Sequence, residues 1–209
     1  MNPYLSLLRR NRNFRLLYIG QTISQLGDWF NTVAVYALLL DLTGSATAVA
    51  WMLIVQMLPI ALVGPLAGVV VDRLNRRRIM MAADLVRGCV ILGLLLVRRA
   101  DQVWIAYVVT ALAVTAQAFF EPARTATIPN VTSADELLPA NALSSATWSA
   151  MLAIGASVGG LVTAAFGRNV AFAVNAASFF VSCSSTVWAA SLDAESSASA
   201  CAPVLASVT

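Results

Sequence analysis

Histidine and lysine are both missing from this 209-residue chain, and charged side chains of any kind make up only 11% of it. Without histidine there is no imidazole base for a Ser-His-Asp type centre, and no arrangement of nucleophile, base and oxyanion donor replaces it, so an enzyme is not expected. Cysteine is nearly as scarce. Cys89, Cys183 and Cys201 are odd in number and lack metal-ligand spacing, which leaves no expected zinc or other metal site and no expected cofactor. An ordinary soluble domain carries roughly 25% charged residues, so the shortage of charge excludes a cytoplasmic globular protein. The thirteen basic residues, all arginine, are spread between apolar stretches. They form no basic face interleaved with stacking aromatics, so no nucleic-acid partner is expected.

What is present is apolar length. Hydrophobic residues make up 59% of the chain, and about 20 consecutive apolar residues suffice for one helical crossing of a bilayer. Cutting the chain at its charges predicts six spans, over residues 16–40, 46–71, 79–97, 102–122, 138–166 and 169–190. The second, fifth and sixth carry no charge. The first contains Asp28, the third Asp84 and Arg87, and the fourth ends at Glu121 and Arg124.

Arginine placement sets the expected orientation. Arg9, Arg10, Arg12, Arg15, Arg73, Arg76, Arg77, Arg78 and Arg124 fall on one side of the spans, while Arg98, Arg99 and Arg168 fall on the other. Positive loops are retained in the cytoplasm, which predicts a cytoplasmic N-terminus and, with an even number of spans, a cytoplasmic C-terminus. Residues 1–15 read as a cytoplasmic segment whose leucines and arginines suit a short interfacial helix. Residues 16–190 read as the membrane bundle. Residues 191–209, rich in serine and alanine, are expected to be a disordered tail. Asn130-Val131-Thr132 fits a glycosylation sequon, but this topology leaves it in the cytoplasm.

Between the second and third spans the chain reads Gly64-Pro65-Leu66-Ala67-Gly68-Val69-Val70-Val71-Asp72-Arg73-Leu74-Asn75-Arg76-Arg77-Arg78. A glycine four residues before Asp-Arg, then a turn residue and two basic residues, resembles the signature of the major facilitator superfamily, at the place where that family carries it. Asn75 stands where the signature has glycine, and asparagine is the next most tolerant residue of a left-handed turn. Asn13-Phe14-Arg15, Ser24-Gln25-Leu26-Gly27-Asp28, Phe120-Glu121-Pro122-Ala123-Arg124, Ile128-Pro129 and Asn141-Ala142-Leu143 extend the likeness to the drug and siderophore exporter branch, which includes macrolide-efflux-like proteins. Gly155-Ala156-Ser157-Val158-Gly159-Gly160 is similar to the antiporter motif, with Ala156 where that motif has proline.

The resemblance implies an all-α integral membrane fold, with six transmembrane helices arranged as two inverted three-helix repeats. That is the N-terminal half of an efflux permease located in the inner (plasma) membrane. It implies a small amphipathic substrate, proton coupling, and a second six-helix half supplied by homodimerisation or by a separate chain. It also assigns Gly64, Gly68, Asp72, Arg73, Arg76, Arg77 and Glu121 to a conformational-switch motif in which Arg77 and Glu121 form a local pair and Asp72 meets the second half. The alternative is a truncated, transport-inactive relic or a membrane scaffold.

Four residues, Asp28, Asn31, Asp84 and Arg87, are candidates for a proton- or substrate-linked role. An aspartate near a helix centre costs about 2.5–3.5 kcal/mol on insertion scales, so Asp28 needs a cavity or a partner. It is read either as a proton- or substrate-linked residue or as a packing contact, with Asn31 and Ser24 one turn away on its face. Asp84 and Arg87, three apart with the acid first, read as a local structural pair, with a proton- or substrate-linked role as the second reading. Gly155, Gly159 and Gly160, like Gly64 and Gly68, read as helix-packing positions that let a neighbouring helix approach closely.

Overall fold

A computed structural model describes the backbone of residues 3–206 and the side chains of residues 3–188. Among the described residues every regular element is helical. A short helix α1 (Pro3–Arg10) leads into α2 (Arg12–Thr43), followed by α3 (Ala46–Arg73) and α4 (Arg76–Ile91), which continues as a 3₁₀ turn over Leu92–Leu96. A second 3₁₀ turn, Ala100–Gln102, precedes α5 (Val103–Val131), α6 (Ala134–Phe166) and α7 (Arg168–Ala206). The tail expected at 191–209 lies outside the residues whose side chains are described, although the backbone of α7 enters it.

Local chemistry explains where the helices begin and end. Asn11 caps α2 by accepting the Phe14 N–H at 2.9 Å, and Ser133 opens α6 in a capping box with Glu136. Gly44, at φ 62°, closes α2 in the left-handed conformation that glycine adopts without a Cβ penalty. Asn75 corrects the sequence expectation. It is not left-handed: at φ −68° and ψ 109° it is the N-cap of α4, its Oδ1 accepting the N–H groups of Arg77 and Arg78. A side chain that can cap makes the glycine of the signature unnecessary here. The expected fourth span stopped at 122, yet α5 runs through Pro122 and Pro129 to Val131. Membrane helices tolerate such prolines because neighbouring groups satisfy the freed carbonyls.

Among the described residues five helices are long and apolar enough to cross a bilayer: Ala46–Arg73, Arg76–Leu96, Ala100–Val131, Ala134–Phe166 and Arg168–Trp188. By composition α2 is not among them, although it is 32 residues long. The reason lies in its environment. α2 packs most extensively against α7 and α6, and its Phe30, Ala34, Val35, Leu38 and Leu39 form the middle of the main core with Met52, Ile91, Leu94, Phe172 and Phe179. A helix enclosed by its neighbours needs little lipid-facing surface and can carry polar groups inward.

The two ends of the bundle are each tied together. At one end Asn11 Nδ2 donates to the Val131 carbonyl at 2.6 Å and to Glu136 at 3.0 Å, and Arg76 donates to the Ala126 carbonyl at 2.8 Å. At the other, Tyr107 donates to the Ala48 carbonyl, and Arg168 meets Asp41 at 3.1 Å.

Candidate functional site

The polar residues of α2 follow helical spacing. Gln21, Ser24, Gln25, Asp28, Asn31 and Thr32 recur at three- and four-residue intervals and so share one face. That face lines a cleft of about 420 Å³ together with residues of α3, α4, α5, α6 and α7. Gln56 and Met57 come from α3, Arg87 from α4, Thr110, Gln117 and Glu121 from α5, Trp148 and Met151 from α6, and Phe179 from α7. Tyr36 donates its hydroxyl to Gln56 Oε1 at 2.7 Å, joining α2 to α3 along the wall.

The floor of the cleft is ionic. Arg87 is 3% exposed, and its Nη2 donates to Asp28 Oδ2 at 2.8 Å. Its guanidinium lies 4.0 Å from the centre of the Phe179 ring and 5.8 Å from that of Phe120, a stacking that suits a weakly hydrated cation. Asp84, fully buried, stands behind Arg87 with 3.8 Å between Arg87 Nη1 and Asp84 Oδ1. The Ser182 side chain faces the Asp84 carboxylate, without a hydrogen bond of normal geometry. Asp28 keeps a third of its side chain accessible. The group is therefore a carboxylate–guanidinium–carboxylate row running from the cleft into the packed core.

The local Asp84–Arg87 pair expected from spacing is present, but only as the longer of two contacts. Arg87 makes its hydrogen bond to Asp28, 59 positions away in sequence. Asn31 and Ser24 line the cleft beside Asp28, as their positions implied, without becoming its partners. The expected Arg77–Glu121 pair is replaced. The ion pair of Glu121 is with Arg124 at 3.0 Å, one turn along its own helix, and Gln21 also donates to it at 3.4 Å. Arg124 lies within reach of Glu121 along one helix, whereas Arg77 would have to bridge two. Asp72 and Arg73 are exposed.

The glycines divide. A Cβ on Gly155 would lie 2.6 Å from the Trp29 ring, and one on Gly159 would lie 3.0 Å from the Trp29 carbonyl, so both are true contacts of α6 with α2. A Cβ on Gly64, Gly68 or Gly160 would meet nothing within 4 Å among the described residues, so no described helix takes up the close approach they permit. Tight approach occurs instead at Gly20 and Gly27, where α2 meets Ser182, Ser185, Asn175 and Ser178 of α7. Those two glycines, the cleft glutamines and the two tryptophans were missed. The signal for the glutamines was available in the spacing of Gln21, Gln25 and Asp28.

Residues 5–202 match the family model described as Transmembrane secretion effector. Among curated proteins the chain is 28% identical over 177 residues to the uncharacterized MFS-type transporter YfiS of Bacillus subtilis (strain 168), covering 84% of this chain and 42% of that protein. It is 26% identical over 164 residues to macrolide efflux protein A of Streptococcus pyogenes, covering 78% of this chain and 40% of that protein. The chain thus spans about two fifths of the length of the curated relatives it matches. No solved structure matches it.

Proposed function

The chain belongs to the transmembrane secretion effector family of major facilitator-type transporters, and on that premise we propose that it builds the N-terminal half of an efflux permease for small amphipathic compounds. The observation that carries this reading is the cleft itself: polar and ionic on its α2 floor, aromatic at Trp29 and Trp148, and flanked by two helices that remain largely unburied. Amphipathic ligands need that combination of apolar wall and a few convergent polar groups.

In this reading α2 crosses the membrane as a first span, its polar face turned to the cleft, and α2–α4 and α5–α7 form the two inverted repeats. The bundle sits in the plasma membrane with α1 and the Arg73–Arg78 segment in the cytoplasm, an orientation supported by the arginine distribution. The stretch from Gly64 to Arg77 then lies at the cytoplasmic edge and acts with a second six-helix half, whether another copy or a separate chain. Gly64 and Gly68 have room for it. Proton coupling would run through the Asp28–Arg87–Asp84 row, where protonating one carboxylate changes which acid holds the guanidinium.

The test is drug efflux in a pump-deficient cell expressing this chain alone and then with a candidate second half. Export only in the paired cells is the expected result. No export in either, with the chain present in the membrane, would favour the relic or scaffold reading. Orientation is read separately from a single cysteine at Asn75 in a background with Cys89, Cys183 and Cys201 removed. An impermeant thiol reagent should fail to reach it in intact cells.

A further inference from the structure

The charged residues lining the cleft are Asp28, Glu121 and Arg87, two acids to one base. Arg124 neutralises Glu121 from outside the cleft, and Asp84 adds a further buried acid behind Arg87. Counted with these neighbours, acids still outnumber bases by one. A cleft whose charged lining is net negative calls for a ligand that brings positive charge and hydrogen-bond donors.

Asp28, the acid that such a ligand would meet, is already held by Arg87. We infer that the cleft takes an amphipath bearing a protonated amine, that Arg87 is the internal cation this amine displaces from Asp28, and that Asp84 is the positioning residue onto which Arg87 withdraws. The geometry suits a handover. Arg87 Nη1 has only to close a 3.8 Å gap to reach Asp84 Oδ1, an oxygen with no hydrogen bond of normal geometry beside the facing Ser182. The guanidinium has five donors, and its stacking on Phe179 persists through a small lateral shift. No charge is left bare: the ligand ammonium replaces the guanidinium on Asp28 as the guanidinium replaces nothing on Asp84. A ligand without the amine cannot make the exchange, which makes the row a charge filter.

This inference rests on the cleft being the ligand site of the proposed exporter half, and the experiment separates the two. Dansylcadaverine, which ends in a primary ammonium, and N-hexyl dansylamide, which ends in a methyl group, are titrated into the purified full chain in neutral detergent. Binding is read by energy transfer from tryptophan. The native chain should prefer the cationic probe about tenfold or more. Asp28→Asn and Asp84→Asn should each bring the ratio of the two affinities close to one, although Asp84 does not line the cleft. Asp84→Glu should restore the preference. Should Asp84→Asn fail to fold, Arg87→Lys supplies the second reading: it keeps the buried cation, and its shorter side chain stays on Asp84, so with Asp28 already free the preference should rise above the native ratio, and an unchanged ratio overturns the handover. A purely structural role for Asp84 would weaken both probes alike and keep their ratio, which overturns the handover. Equal binding of the two probes by the native chain overturns the charge filter while leaving the cleft as a ligand site, and binding of neither removes the cleft reading and this inference with it.

Discussion

The membrane-length stretch of α3 and that of α6 are each 11% buried within the chain, against 39% for the α4 stretch and 44% for those of α5 and α7. All five are apolar enough to cross a bilayer, so hydropathy does not distinguish the two groups. Packing does. α4, α5 and α7 surround the Arg87 row and bury Ile91, Ala106, Phe120, Phe172 and Phe179, whereas α3 exposes Trp51, Met57, Leu62 and Leu66, and α6 exposes Trp148, Leu152 and Leu161. One group holds the ionic centre in place. The other flanks the cleft with apolar surface that the described residues do not cover, and membrane helices there gain from close packing against any further helix.

The largest effect expected in the packed group is at Arg87. Replacing it with leucine leaves Asp28 and Asp84 facing each other without a cation, which should destabilise the bundle by about 3–5 kcal/mol, the usual cost of breaking a buried pair from one side. Thermal unfolding in detergent reads this, and adding Asp28→Asn to Arg87→Leu should recover part of the loss. An unchanged melting temperature in Arg87→Leu would break the distinction between the two groups at its centre.

Glycine substitutions sharpen the same contrast. Gly27→Leu forces a side chain into Ser178 and Asn175 at the α2–α7 contact, and Gly155→Leu forces one into Trp29. Overpacking of this kind costs about 1–3 kcal/mol, so both should melt clearly below the parent chain. Gly155→Leu also tests the α2–α6 contact through which α6 joins the bundle.

A smaller change is expected at the junction of the two groups, where α3 hands over to α4. Asn75→Ala removes the side-chain acceptor that two N–H groups share, and should cost about 1 kcal/mol, while Asn75→Gly should cost only a few tenths. If glycine proved as damaging as alanine, capping would not be the role of Asn75. The smallest effect belongs to the exposed group: Gly68→Leu meets nothing within 4 Å and should shift stability in the isolated chain by no more than about 0.5 kcal/mol. A large loss there would show that α3 is already covered in solution.

Much of this is legible in the sequence. Asp84 and Arg87 sit three apart, and that spacing alone places them on one helix face within reach of each other. The apolar runs between arginines mark the helices, and the Gly-Asp-Arg stretch with the motifs around Asp28 and Glu121 pointed to the family to which the chain belongs. The end points were less legible. Pro122 looked like a stop and is not one, because a helix surrounded by others finds new partners for the freed carbonyls. Asn75 looked like a substitute for a left-handed glycine and is a cap, because its side chain offers an acceptor that glycine lacks.

Apolar length, charge placement and residue spacing act along one helix, and to that extent the sequence by itself determined the helical segments, their membrane-compatible length, the family motifs and the nearness of Asp84 to Arg87. Only the tertiary structure decided that Arg87 reaches past Asp84 to Asp28, that Glu121 takes Arg124, that Gly155 and Gly159 are contacts while Gly64, Gly68 and Gly160 are open, and that the polar face of α2 becomes the floor of a cleft. Each of these depends on which helix lies next to which. A side chain several ångströms long chooses among all the groups within its reach, and the neighbours that supply them come from positions far away in the chain.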